Sequence, residues 1–287
     1  MKDNVFEKDY LTIAEFAEIV ETTASSLRHY EKMKIFSAAK RGKEEDGQYR
    51  YYNPMQITLF NMIRVLSDIN MPIKEIQNIS DCRTPDVMLK LLTNQRYELL
   101  DKKTWIEETI SVVSTYIEML YHGMSAAENK ITVSMVPEMR IAMGGINNFT
   151  DSNGFYREFI RFCKAPRNPP ISLSYPIGGY FESMDAYIAN PSEPTKFYSL
   201  DPKGNDMKES GLHMIGYTRG YYGETNDVIS RMMEYAKKHG YIFSGPVYNL
   251  FLFDEVSVSD PNQYLLQVSA AVYEAQEAFS RKNKSKL

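Results

Sequence analysis

Apolar residues recur at helical spacing from the start of the chain. Ile13, Phe16, Ala17 and Val20 share one face, and Thr12 with Glu15 forms a capping box, so a helix is expected to open at Thr12. A second helix, capped by Thr22 or Thr23, carries Leu27, Tyr30 and Met33. Two short helices about three residues apart predict a helix-turn-helix. Residues 38–46 are charged and loop-like, Gly47 supplies a turn, and residues 49–52 have strand composition, which predicts a small hairpin, or wing. Asn53-Pro54 is expected to restart helix, with Ile57, Phe60, Ile63 and Leu66 on its apolar face. Pro72 opens a short helix with Ile73, Ile76 and Ile79.

The most regular segment follows the cap Thr84-Pro85. Leu89, Leu92, Leu99, Ile106, Ile110, Val113, Ile117 and Leu120 step by alternating threes and fours, interrupted by Arg96 and Lys103. That alternation predicts a coiled-coil seam about 55 Å long joining two copies of the chain.

After Gly123 the periodicity changes. Residues 130–146 alternate like a strand, and residues 153–164 read as a helix with Phe155, Phe159 and Phe162. Residues 171–190 read as two strands around Gly178-Gly179, and residues 191–210 as a Pro-, Ser- and Gly-rich loop. Residues 211–222 are strand-like, 225–239 helical, and 246–253 and 263–273 strands. Strand-helix-strand-strand, twice, predicts an internal duplication with a ligand-sized cleft along its axis. The fold class is therefore α+β: a winged helix-turn-helix (1–82), a long dimerisation helix in an antiparallel coiled coil (84–122), a duplicated effector domain (130–275) and a charged tail (276–287).

Composition narrows the function classes. The net charge of −4 gives no whole-chain signal for nucleic acid, but residues 28–50 hold seven basic side chains against four acidic ones. The excess of tyrosine, 21 residues against one Trp, suits a half-polar cavity or interface. Cys82 and Cys163 are too few for a disulfide framework or a zinc cluster, and no metal or cofactor is expected. No stretch approaches 18 apolar residues, so the chain reads as cytoplasmic, without a membrane partner.

Three motifs in order, Leu27-Arg28-His29-Tyr30-Glu31, Gly47-Gln48-Tyr49-Arg50-Tyr51-Tyr52 and Met71-Pro72-Ile73-Lys74-Glu75-Ile76, resemble those of the MerR family of bacterial transcription regulators. His29 stands where the family usually has Tyr, and Met71-Pro72 replaces its usual helix cap. Residues 130–275 resemble the GyrI-like effector domain through topology, tyrosine content and the segment Pro246-Val247-Tyr248-Asn249-Leu250. The resemblance implies a homodimer that binds promoter double-stranded DNA, acts with RNA polymerase, and bends and undertwists the promoter spacer when a small aromatic or cationic ligand binds.

A recognition helix enters the major groove with its N-terminal residues. This assigns Ser25, Ser26, Arg28 and His29 to bases or phosphates, Tyr30 and Tyr51 to phosphates, and Lys40, Arg41 and Arg50 to the flanks, with core packing the alternative for Tyr30. Multidrug-sensing members of the family place an acidic residue where this chain has Asn249, so the implied cation site lacks its charge; Glu182, Asp254 and Glu255 are candidates to restore it. Tyr156, Tyr187, Tyr217 and Tyr264, with Tyr221 and Phe251, are the expected aromatic walls. Two other classes compete. Relatives of the GyrI-like domain include small-molecule hydrolases, against which the loss of the acid at Asn249 argues, and a ligand-blind DNA-binding protein would need no cavity at all.

Overall fold

Thr12 caps the first helix as its sequence requires. The Glu15 amide donates to Thr12 Oγ1 at 3.3 Å while the Thr12 amide donates to the Glu15 carboxylate at 2.8 Å. The computed structural model describes residues 9–42, 49–81, 84–150, 153–165 and 175–275. These form two compact units, divided between Asp101 and Lys102.

In the first unit α1 (Ile13–Ile19) and α2 (Ala24–Lys32) make the helix pair, and Thr23 caps α2 by accepting from the Ser26 amide at 3.0 Å. Strands β1 (Leu11–Thr12), β2 (Lys40–Arg41) and β3 (Arg50–Tyr52) form an antiparallel sheet in the order β1-β3-β2, which is the wing. The expected turn at Gly47 lies outside the described residues. Aromatic stacking binds wing to helices: the Tyr52 ring lies 4.6 Å from Phe16 and is wholly buried, with Phe36 and Phe60 alongside. Each such ring contributes about 1.5–3 kcal/mol through burial.

One boundary differs from expectation. Asn53-Pro54 does not cap and start a helix; Asn53 Oδ1 accepts from the Met55 amide at 2.8 Å, making a turn, and α3 begins two residues later (Gln56–Asp68). Helix α4 (Ile73–Asp81) then packs Ile76 into the core, while Ile73 is exposed and Ile79 has no described side chain.

Helix α5 (Pro85–Ser125) runs 41 residues, about 60 Å at 1.5 Å each. Its inward side chains within the second unit are Glu108, Val112 and Met119. The positions of the predicted seam point elsewhere: Leu89, Ile106, Ile110, Val113 and Ile117 are all exposed, Leu89 at 68% and Ile110 at 59%.

In the second unit, the 130–146 segment is two strands rather than one, β4 (Thr132–Val136) and β5 (Met139–Met143), broken at Pro137. β4 is one edge of an eight-stranded sheet of order β4-β9-β11-β10-β6-β7-β5-β8, and β5 lies one strand in from the other edge. After them in sequence come α6 (Gly154–Cys163), β6 (Ile177–Phe181), α7 (Met184–Ala189), β7 (Lys196–Ser199), β8 (Asp206–Lys208), β9 (Gly211–Arg219), α8 (Val228–His239), β10 (Tyr241–Phe253) and β11 (Leu265–Glu274). The second strand expected near Gly178-Gly179 is instead α7, capped by the Ser183 hydroxyl, and the expected loop at 191–210 contributes β7 and β8. Burial explains β7: Phe197, Tyr198 and Ser199 are all interior, a run without alternation that conceals a strand.

The duplication is explicit in the pairing. β5-α6-β6-β7 and β9-α8-β10-β11 have the same order, and each places its second strand at the centre, its third next and its first outside, so β6 and β10 pair across the pseudo-twofold. Helix α8 ends in Gly240 at φ +72°, a left-handed cap that a side chain would strain.

Candidate nucleic-acid interface and effector site

Helix α2 exposes Ser25, Arg28 and His29 on its outer face. A groove of about 430 Å³ lies along it, lined by Thr23, Ser25, Ser26, His29, Tyr30 and Ile73 among others. Not every predicted residue is available equally. The Ser26 hydroxyl bonds Thr23 Oγ1 at 2.8 Å and so serves the cap. Tyr30 packs its ring edge-on against Phe60 at 5.7 Å, the core alternative, while keeping one side in the groove. Lys40 is exposed and holds its ammonium 5.7 Å from the Tyr10 ring, and Tyr51 is half-buried beside it.

The two wing arginines share one carboxylate that the sequence reading did not use. Arg41 donates to Glu31 Oε1 at 2.9 Å and Arg50 to Glu31 Oε2 at 2.6 Å. Burial alone would raise the Glu31 pKa, but the hydrogen bonds from Arg50 and Arg41 outweigh it and hold the carboxyl below its ordinary range. Glu31 closes the Leu-Arg-His-Tyr-Glu motif, and that position was the available signal. It fixes the angle between recognition helix and wing.

The predicted effector residues separate into three places. Asn249 and Tyr187 meet at the centre of the sheet. The Gly179 amide donates to Asn249 Oδ1 at 2.6 Å, so this amide already has a partner in the residue across the β6–β10 ladder. The Tyr187 ring is wholly buried, 4.7 Å from Phe181, and its hydroxyl has no hydrogen-bond partner among the described residues. Burial raises its pKa; the adjacent Asn249 side chain tempers that without reaching hydrogen-bond geometry.

Tyr221, Phe251 and Tyr264 form a second group around a ring absent from the prediction, Tyr222. Its centroid lies 4.6 Å from Phe251, 5.3 Å from Tyr221 and 5.6 Å from Tyr264. The Tyr222 hydroxyl donates to Glu255 Oε2 at 2.5 Å, and burial raises the pKa of neighbouring Asp254. Four rings thus border two carboxylates, an arrangement suited to an organic cation. The Tyr221-Tyr222 doublet was the signal.

Two predicted wall residues, Tyr217 and Tyr156, and the candidate acid Glu182 stand elsewhere. Tyr217 faces the other side of the sheet, where its hydroxyl and His122 of α5 lie 2.9 Å apart; strand alternation sends it away from Gly216, which packs under α8. Tyr156 projects outward from α6 at 66% exposure, and Glu182 is exposed beyond the end of β6. Cys82 lies outside the described residues. Among those described, no three metal-ligating side chains cluster, and no helix is long and apolar enough to cross a membrane.

The first unit is by its geometry a winged helix-turn-helix, the class of DNA-binding domains that reads a groove with one helix. Residues 11–81 match the family described as MerR HTH family regulatory protein, and the chain carries that family's helix-turn-helix domain. Over 270 residues, 91% of this chain and 97% of the relative, it is 23% identical to the multidrug-efflux transporter 2 regulator of Bacillus subtilis. It is 28% identical to that organism's multidrug-efflux transporter 1 regulator over 109 residues, 37% of this chain and 38% of the relative. Among solved structures, the EcmrR–DNA complex within EcmrR-RPo is similar at 15% identity and a TM-score of 0.35, covering 92% of this chain and 100% of that one. A hydrolase from Listeria innocua is similar at 12% identity and a TM-score of 0.32, covering 53% of this chain and 96% of that one.

Proposed function

We propose that this protein is a ligand-responsive, DNA-binding transcription regulator that works as a homodimer on promoter DNA, in concert with RNA polymerase. The carrying observation is that one helix, α5, continues from a groove-reading unit into a duplicated sheet unit and leaves a stripe of isoleucines and leucines in solvent. Exposed apolar side chains repeating at 3.5-residue spacing are stabilised by a second copy of the same helix.

On DNA, Ser25, Arg28 and His29 face base edges or phosphates, and Lys40, Tyr51 and the free donors of Arg41 and Arg50 contact backbone on the flanks. Glu31 acts as a positioning residue. In the effector unit the Tyr221–Tyr222–Phe251–Tyr264 cluster, with Glu255 and Asp254, takes a lipophilic cation, replacing the charge that Asn249 lacks. Rings contribute about 0.5–2 kcal/mol each to such a ligand. The Phe253 ring, next to those carboxylates, lies against Gly123 of α5, where even an added Cβ would come within 2.6 Å of it. Ligand binding therefore biases α5, and a dimer so biased bends and undertwists the spacer it holds.

The test is gel retardation and in vitro transcription on the chain's own upstream DNA, with and without a lipophilic cationic dye. A shifted dimer complex whose transcript yield changes with dye supports the reading. An unshifted promoter, or a dye-insensitive yield, overturns it.

A further inference from the structure

The two halves of the duplication differ beneath their helices. Helix α8 buries Val228, Met232 and Ala236, its first, fifth and ninth residues. Helix α6 buries residues at the same places, and they are Gly154, Glu158 and Phe162. Each helix covers a glycine, Gly144 or Gly216, five residues after Met139 and Gly211, where β5 and β9 start. A Cβ added at Gly216 would come within 2.7 Å of Val228 and 3.3 Å of Met232, so apolar side chains close that half. At Gly144 it would meet the Phe162 ring at 2.7 Å and the Phe197 carbonyl at 3.2 Å, and none of its three nearest atoms belongs to Glu158. A carboxylate thus stands where the other half has methionine.

A buried carboxylate is costly unless it is both paired and hydrogen-bonded. Glu158 is 3% exposed and has the pairing: Arg161 lies against its Oε2, and Arg157 Nε is 3.7 Å from its Oε1. It lacks the full set of hydrogen bonds. Oε2 is buried with no hydrogen-bond partner among the described residues, while Arg161 and Arg157 donate to the carbonyls of Ile146 at 2.8 Å and Asn148 at 3.1 Å. Glu158 borders a cavity of about 170 Å³, with Gly144, Gly145, Asn147, Arg161 and Phe162 also on its walls. Gly145 and Arg161 are exposed and mark its mouth, and a Cβ added at Gly145 would touch nothing within 4 Å.

We infer that this cavity is a second ligand site, for a small neutral aromatic molecule carrying one N–H or O–H donor. Size sets the first limit: a dry cavity of about 150 Å³ holds benzene, so this one admits a single ring or a compact fused pair. Phe162 gives that ring an apolar wall. A carboxylate only accepts, so the ligand must donate to Glu158. Charge sets the last limit, because two guanidinium groups already face Glu158. A cation is repelled by them and an anion by the carboxylate, whereas a neutral donor meets neither penalty. The site is carried by α6 and the end of β5, while Tyr222 and Glu255 of the cation cluster follow β9 and β10, so the two are separable.

The experiment is calorimetric titration of the full chain with indole, and with benzofuran as the control of equal shape in which an oxygen replaces the N–H. Indole is expected to bind the wild type at least about tenfold more tightly than benzofuran. It should weaken by a similar factor in Glu158→Met, which supplies the side chain that the other half has there. A saturating lipophilic cationic dye should leave indole affinity unchanged. Equal affinity for the two compounds, no saturation by indole at millimolar concentration, or equal indole affinity in wild type and Glu158→Met overturns the site. Competition between dye and indole assigns the binding to the cation cluster and overturns it too. Should Glu158→Met fail to fold, Glu158→Gln keeps the size and an uncharged acceptor. Indole should then weaken about fivefold with benzofuran unaffected, and an unchanged indole affinity refutes the site.

Discussion

Arg50 Nε lies 2.6 Å from Glu31 Oε2, so a residue of the wing is fastened to the last turn of the helix it flanks. Arg41 holds the other oxygen of the same carboxylate. The side chain of Glu31 is only 12% exposed, which places this three-way contact between surface and interior.

Replacing Glu31 with Gln should therefore do more than remove one surface charge. Two guanidinium groups lose a shared anion, at a cost of about 1–3 kcal/mol to the N-terminal unit. Promoter affinity is expected to drop roughly tenfold because the wing no longer has a fixed angle. The Glu31 pKa is depressed in the folded state, so its contribution is complete above the ordinary carboxylate range and fades as pH falls through the lowered value. Chemical denaturation at pH 7 and pH 3, comparing wild type with Glu31→Gln, checks this: the difference should shrink in acid.

Arg28→Ala has the complementary signature. Arg28 is exposed and contributes nothing to the core, so the melting temperature should stay within a degree or two of wild type. Promoter binding should weaken by about 1–3 kcal/mol, with a shallower salt dependence if the contact is to phosphate. Fluorescence anisotropy across a salt series separates base from backbone contact.

Ile110→Asp tests the seam. Ile110 is 59% exposed in the single chain, so a monomer would tolerate the carboxylate with little loss. If two copies pair through α5, a charge buried in their contact would separate them, and sedimentation velocity at micromolar concentration should show one subunit where wild type shows two. An unchanged sedimentation coefficient would remove this face from the interface.

Glu255→Gln removes the carboxylate nearest the Tyr222 ring while preserving its size. Affinity for a lipophilic cationic dye should fall about tenfold, whereas an uncharged ligand of similar shape should be affected little. Titration calorimetry on the full chain distinguishes loss of charge recognition from loss of the fold.

Stability should also respond to acid through His213. Its pKa is lowered to about 4 by burial and by the charge of Lys208. Between the ordinary histidine value and about 4, the unfolded chain binds a proton that the folded chain does not, so stability falls as pH falls across that window. His213→Asn should flatten this part of the profile, measured by urea midpoint from pH 7 to pH 4.

The helix pair, the wing, α5 and the repeated order of strands and helices were legible because each depends on local chemistry. Capping side chains, proline and glycine positions, and apolar periodicity act over a few residues, and Thr12, Thr23, Thr84 and Gly240 sit where those signals place them. Strand β7 is hidden because Phe197, Tyr198 and Ser199 are buried consecutively, which erases the alternation that marks a half-exposed strand, and β8 because three residues are too few to show any. Helix α7 is hidden for a different reason, six residues being too short for helical periodicity to register.

Sequence by itself determined the kinds of side chain available: basic residues around a recognition helix, tyrosines and the Asp254-Glu255 pair in the second half, and no acid at position 249. Only the tertiary structure decided which of them meet. It turned Tyr217 toward His122 and away from Asn249, brought Glu255 to Tyr222, and joined Arg41 and Arg50 on Glu31. The reason is range: caps and periodicity are set by neighbours in the chain, whereas charge pairing and ring contacts depend on strand register and sheet curl, which bring together residues tens of positions apart.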